Sequence, residues 1–133
     1  MDNVIFKFHH IGVACDDIEH TRQFIGSFMD VVSESKIVFD ELQNATLCML
    51  SISGGLQIEL IEGEQVKSLL KRGISYYHTC YSVQDIEKAI LYLQTKGNVF
   101  VISDAKPAIL FNDHKVAFLK TPLGVIELLE EKQ

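Results

Sequence analysis

Two histidine and glutamate pairs stand at one interval in this chain: His10 precedes Glu59 by 49 residues, and His78 precedes Glu127 by 49. The second pair therefore repeats the first at an offset of 68. Imidazole nitrogens and carboxylate oxygens together make a mixed N/O donor set for a divalent cation, with coordination positions left for a substrate or water. Singly, each of the four would be an ordinary hydrogen-bonded strand residue. In one repeated register they point to metal binding. Two nitrogens and two oxygens suit several first-row ions, so the donor set leaves the choice among Ni, Co, Mn, Zn and Fe open.

The repeat extends beyond the four residues. "HHIGVACDDIEHT" from His9 to Thr21 is matched by "YHTCYSVQDIEKA" from Tyr77 to Ala89, so that Asp17, Ile18 and Glu19 correspond to Asp85, Ile86 and Glu87. "LQIELIEG" (Leu56 to Gly63) stands the same 68 residues before "GVIELLEE" (Gly124 to Glu131). Two separate segment pairs in one register argue for an internal duplication. The register also selects His10 over His9, because adjacent strand residues face opposite ways and the counterpart of His9 is Tyr77. His20 and His114 have no counterpart and are expected on a helix surface and in a loop. Glu62 and Glu130 do match, but on the strand face opposite Glu59 and Glu127, where they are expected to be solvated.

The elements that position these residues follow from periodicity. "FKFHHIGVAC" is an extended apolar run. "DDIEHTRQFIGSFM" is expected to be a helix with Asp17 as N-cap and with Ile18, Phe24, Ile25 and Phe28 on one helical face. "KIVFDE", "TLCMLSI" and "LQIELIE" follow as strands, the last two joined by a turn at Ser53, Gly54 and Gly55. In the second half, "YHTCYSV" reads as a strand, "QDIEKAILYLQTKG" as a helix closed by Gly97, and "NVFVIS", "KVAFLKT" and "GVIELLE" as strands. "SDAKPAILFNDHKV" (Ser103 to Val116) reads as a loop at the rim of a substrate site. Each half is thus a βαβββ module. The expected organisation is one α+β domain over residues 1–133, with modules 4–62 and 74–131 and a linker, 63–73, that holds a short helix. Glu59 and Glu127 interrupt apolar strands, where a carboxylate is costly unless it is paired, protonated or bound to a cation.

Bulk properties exclude other classes. A chain of 133 residues fits one domain with a real core, and 47% hydrophobic against 23% charged residues is an ordinary globular balance. No apolar run approaches the roughly 20 residues of a membrane helix, and "MDNVIFKFHH" lacks the parts of a signal peptide, so a cytoplasmic protein with no membrane partner is expected. The net charge is -6 and the two arginines, Arg22 and Arg72, are far apart, which gives no basic stripe for nucleic acid. Cys15, Cys48 and Cys80 are an odd, widely spaced set in apolar runs and are expected to be buried free thiols. Lys106, Lys115 and Arg72 are the cations that could meet a phosphate or carboxylate at the mouth of a site.

The segments "HHIGVACDDIE", "LQIELIE", "YYHTCYSVQDIEKAI" and "KTPLGVIELLE" resemble the vicinal oxygen chelate (VOC) superfamily, and within it methylmalonyl-CoA epimerases and glyoxalase I (lactoylglutathione lyase) enzymes. The resemblance runs from about Phe8 to Glu130. It implies the glyoxalase/bleomycin resistance/dioxygenase fold, two tandem βαβββ modules forming a curved mixed sheet around a metal cleft. It places the metal ligands on His10, Glu59, His78 and Glu127, the same four that the repeat selects. It also implies a small-molecule substrate, a thioester or hemithioacetal, from which a proton next to a metal-bound carbonyl oxygen is removed, with Glu127 and then Glu59 as the acid–base residues. The two-base epimerases carry a further glutamate on the preceding strand. Counting back from Glu59 puts that position near Cys48, and "TLCMLSI" holds no carboxylate. Other members of the superfamily are metal-free antibiotic-resistance binding proteins, which lack the ligand set, and ring-cleaving dioxygenases, whose triad needs only one glutamate. The cleft can be completed within one chain or across a homodimer.

Overall fold

The computed structural model describes residues 3–132. They fall into two compact units, residues 10–77, and residues 78–132 together with the segment before residue 10. Among the described residues no helix is long and apolar enough to cross a membrane.

The first unit holds β1 (Lys7–Ala14) from His10 onward, α1 (Ile18–Gly26), β2 (Val31–Glu34), β3 (Val38–Asp40), β4 (Ala45–Ile52), β5 (Gln57–Gly63) and α2 (Glu64–Lys71). Its strands lie in the order β2, β4, β5, β1, with β3 also pairing β4. β1 and β5 run parallel, Gly12 opposite Glu59, while β4 is antiparallel to its three partners. Alternation sends Cys48, Leu50, Ile52, Ile58 and Leu60 to one face, where they pack with Cys15 and with Ile18 and Ile25 of α1. Glu59 lies on the other face. The turn from β4 to β5 uses Gly54 and Gly55 at φ of +97° and +99°, a region few other residues enter.

Two expectations fail in this unit. Phe24 and Phe28 are 63% and 62% exposed and contact each other, ring centroids 5.3 Å apart, instead of facing the core. Ile18 and Ile25 are seven residues apart, close to two helical turns, whereas Phe24 stops about a third of a turn short and Phe28 lies beyond the helix end. The strand expected over "KIVFDE" shrinks to the short β3, and β2 lies before it in a segment where no strand is expected; β3 ends where the Asp40 carboxylate accepts from the backbone of Leu42 (3.0 Å) and Gln43 (3.2 Å).

The second unit holds β6 (Tyr76–Val83) from His78 onward, α3 (Ile86–Gln94), β7 (Phe100–Pro107), a 3₁₀ turn (Ile109–Phe111), β8 (Lys115–Thr121) and β9 (Gly124–Glu130). The strand order is β6, β9, β8, β7, with β6 and β9 parallel and the rest antiparallel. Val83, Ala117, Leu119, Ile126 and Leu128 pack with Ile86 and Ala89 of α3 on one face. The segment expected as a loop from Ser103 is strand as far as Pro107. Two register shifts against β8, between Val101 and Ser103 and between Ser103 and Lys106, break the alternation that would have marked it.

The duplication shows in how the helices begin. Asp17 accepts from His20 N at 3.3 Å and Asp85 from Lys88 N at 3.1 Å, so both helices are N-capped in the same way. Glu62 and Glu130, expected to be solvated, do the same work from the strands: Glu62 accepts from Ile18 N and Glu130 from Ile86 N, each at 3.0 Å. A carboxylate there meets both the open amides and the positive end of the helix dipole. Glu130→Ala should lower stability by about 1–2 kcal/mol. Urea unfolding followed by circular dichroism checks this, and an unchanged midpoint would show that the cap contributes nothing.

Candidate functional site

Each unit carries one of the two histidine and glutamate pairs, formed in the same way. In the first, β1 directs His10 and Gly12 to the face of Glu59, and His10 Nε2 lies 3.1 Å from Glu59 Oε1. In the second, β6 directs His78 and Cys80 to the face of Glu127, and His78 Nε2 lies 3.0 Å from Glu127 Oε1. All four side chains are buried. Parallel pairing turns two intervals of 49 residues into two contacts at almost one distance.

The antiparallel neighbours differ between the units. Met49 stands opposite Glu59, with Leu47 two residues before it on the same face. Phe118 stands opposite Glu127 and meets the His78 ring edge-on, centroids 5.4 Å apart at 83°. Neither Met49 nor Phe118 was singled out from the sequence. The hairpin register would have found them: Phe118 corresponds to Met49 at an offset of 69, one more than elsewhere, because the β8 and β9 turn differs in length from that of β4 and β5. Cys48, reached by counting back from Glu59, pairs with Leu60 and belongs to the face packed on α1. The β4 position that faces Glu59 is thus Met49, and no residue of β4 is a carboxylate.

His9 meets Phe111 edge-on, centroids 5.7 Å apart. His20 is exposed on α1, and His114 sits in the loop before β8 with Nδ1 2.9 Å from the Glu130 carbonyl. Lys115 reaches Glu87 at 3.9 Å on the α3 side. Arg72 ends α2.

An imidazole nitrogen and a carboxylate oxygen held about 3 Å apart inside apolar strands need a proton or a cation to balance them. In each unit the contacting atoms are the usual metal donors of their side chains, so the donor chemistry fits a divalent cation. His78 is further restrained by the Phe118 edge, which limits rotation of its ring.

Residues 9–118 match the Glyoxalase/Bleomycin resistance protein/Dioxygenase superfamily. No curated protein matches the chain. Among solved structures, a hypothetical protein from Bacillus halodurans C-125 is 27% identical with a TM-score of 0.72 over 96% of both chains. A methylmalonyl-CoA epimerase from Mycobacterium tuberculosis is 21% identical with a TM-score of 0.74, over 96% of this chain and 89% of that one. A Streptomyces coelicolor methylmalonyl-CoA epimerase variant in complex with 2-nitronate-propionyl-CoA is 23% identical with a TM-score of 0.70, over 96% and 98%. The chain belongs to the glyoxalase, bleomycin resistance and dioxygenase superfamily, and its fold is the α+β fold of that group.

The three cysteines form no disulfide and are buried, as expected. Burial pushes the thiols of Cys15 and Cys48 above the ordinary range, which keeps them protonated and unreactive. A thiol reagent such as Ellman's should therefore label the native protein slowly and all three cysteines at once on unfolding. Rapid labelling of the folded chain at neutral pH would contradict the burial.

Proposed function

We propose that the chain is a divalent-metal-dependent enzyme that removes a proton from the carbon next to the carbonyl of a thioester or hemithioacetal, in the manner of a methylmalonyl-CoA epimerase or a lactoylglutathione lyase. The observation that carries this reading is the duplicated buried contact, His10 with Glu59 and His78 with Glu127, on a chain of this superfamily. His10, Glu59, His78 and Glu127 would together hold one ion. When bound, the ion polarises the substrate carbonyl and acidifies the adjacent C–H bond.

The remaining steps fall to the chain's own side chains. Glu127 takes the proton on a carboxylate oxygen, holds it and returns it. His78 and Phe118 fix the direction of that carboxylate and exclude water from its face. Glu59 is the second acid–base group, because its β4 neighbours Met49 and Leu47 cannot carry a proton. The structural likeness to an epimerase solved with a propionyl-CoA analogue makes CoA thioesters the first substrates to assay.

Elemental analysis of tag-free protein should find about one divalent metal per chain, lost in His78→Ala. The metal-loaded protein should exchange the α-proton of methylmalonyl-CoA for deuterium, with Glu127→Gln slower by roughly 100-fold or more while its circular dichroism is unchanged. Full exchange in Glu127→Gln would remove Glu127 as the base. No bound metal after incubation with each ion would replace the enzyme by a metal-free binding protein.

A further inference from the structure

Two lysines share the sheet face of Glu127 and have no part in the proposed chemistry. Partners directly opposite in an antiparallel ladder project to the same side. Phe118 is opposite Glu127, so Lys120, two residues along β8, projects to that side too, and so does Phe100, its partner on β7. In the other direction Val116 shares the face of Phe118, and its β7 partner is Lys106. Phe118 is thus flanked by a lysine position on either side, the Lys120 backbone about 7 Å away along the strand.

Neither lysine is spent elsewhere. Among the described residues no carboxylate lies within ion-pair distance of Lys106 or Lys120, whereas Lys115, on the opposite face of β8, reaches Glu87. Lys106 is half-buried and so has given up part of its hydration without a fixed anion in return. The two register shifts in β7 bring Lys106 opposite Val116, where an unshifted ladder would place Asp104. The equivalent row of the first unit, Ser33, Ser51 and Gln57 beside Glu59, is neutral. In a chain of net charge -6, two unpaired cations on one sheet face are a local reversal of sign that attracts an anion.

We propose that Lys106 and Lys120 are specificity-determining residues that bind an anionic group of the substrate beside Glu127. The inference rests on the thioester reading of the function. The shared chemistry is a carboxylate or phosphate oxygen, supplied either by the acyl group or by its carrier. Both lysines carry charge-assisted hydrogen bonds to it, with the Phe100 and Phe118 rings as the apolar floor.

The test is calorimetric titration of the metal-loaded protein, and of Lys106→Met and Lys120→Met, with methylmalonyl-CoA, propionyl-CoA and methylmalonyl-pantetheine. Each variant should bind methylmalonyl-CoA about tenfold more weakly, the loss of one charge-assisted hydrogen bond, with unchanged metal content and melting temperature. If the lysines read the acyl carboxylate, the loss persists with methylmalonyl-pantetheine and vanishes with propionyl-CoA. If they read the carrier's phosphates, the pattern reverses. Wild-type binding that neither variant weakens would overturn the lysine assignment alone. Wild-type protein that binds none of the three would overturn the thioester function, and the lysine assignment with it.

Discussion

Everything else in the molecule accommodates a histidine and a carboxylate buried against each other, twice. Such a contact is tolerable only where both partners are held at one distance, and the fold achieves this with parallel strand pairs, β1 with β5 and β6 with β9. Parallel neighbours need a long crossover, because the chain must return to the starting end of the sheet. The helix and the antiparallel strands of each module supply that crossover. They also explain why the two intervals are equal: the 49 residues are the length of one crossover, made twice.

The strand that carries each glutamate also anchors the helix. Glu59 and Glu62 are three residues apart and face opposite sides of β5, one toward His10 and the other toward the open amides of α1. Glu127 and Glu130 divide the same duties on β9. A shift of β9 along its axis would therefore disturb the Ile86 cap and the His78 contact together. This coupling gives the buried pair a reference point on a rigid helix, which a strand alone would not provide.

Alternation in β1, β5, β6 and β9 was legible because each strand has one face on a helix and keeps strict order, so the four candidate residues could be placed by counting. What could not be read depended on pairing between strands. Cys48 looked closest to Glu59 by count, yet only the hairpin register shows that Met49 faces it. The end of β7 read as a loop because its bulges abolish the period of two. Glu62 and Glu130 were assigned to the correct face, but that face is covered by a helix terminus, a long-range fact that no local pattern records. Phe24 and Phe28 differ for the opposite reason: hydrophobicity is not burial, a nine-residue helix buries only one narrow stripe, and Phe28 lies past its end.

Duplication explains the two histidine and glutamate pairs, and the modules diverge in the rows that flank them. Here the histidines, glutamates and caps are kept, whereas the flanking row has changed from Ser33, Ser51 and Gln57 beside Glu59 to Phe100, Lys120 and Val125 on the face of Glu127. The change leaves the core untouched, since all of these residues lie on the sheet face away from α1 and α3. Charge has been added where it costs the fold least, and only on one module. In the proposed function that asymmetry would orient a charged ligand, which an exact repeat could not do.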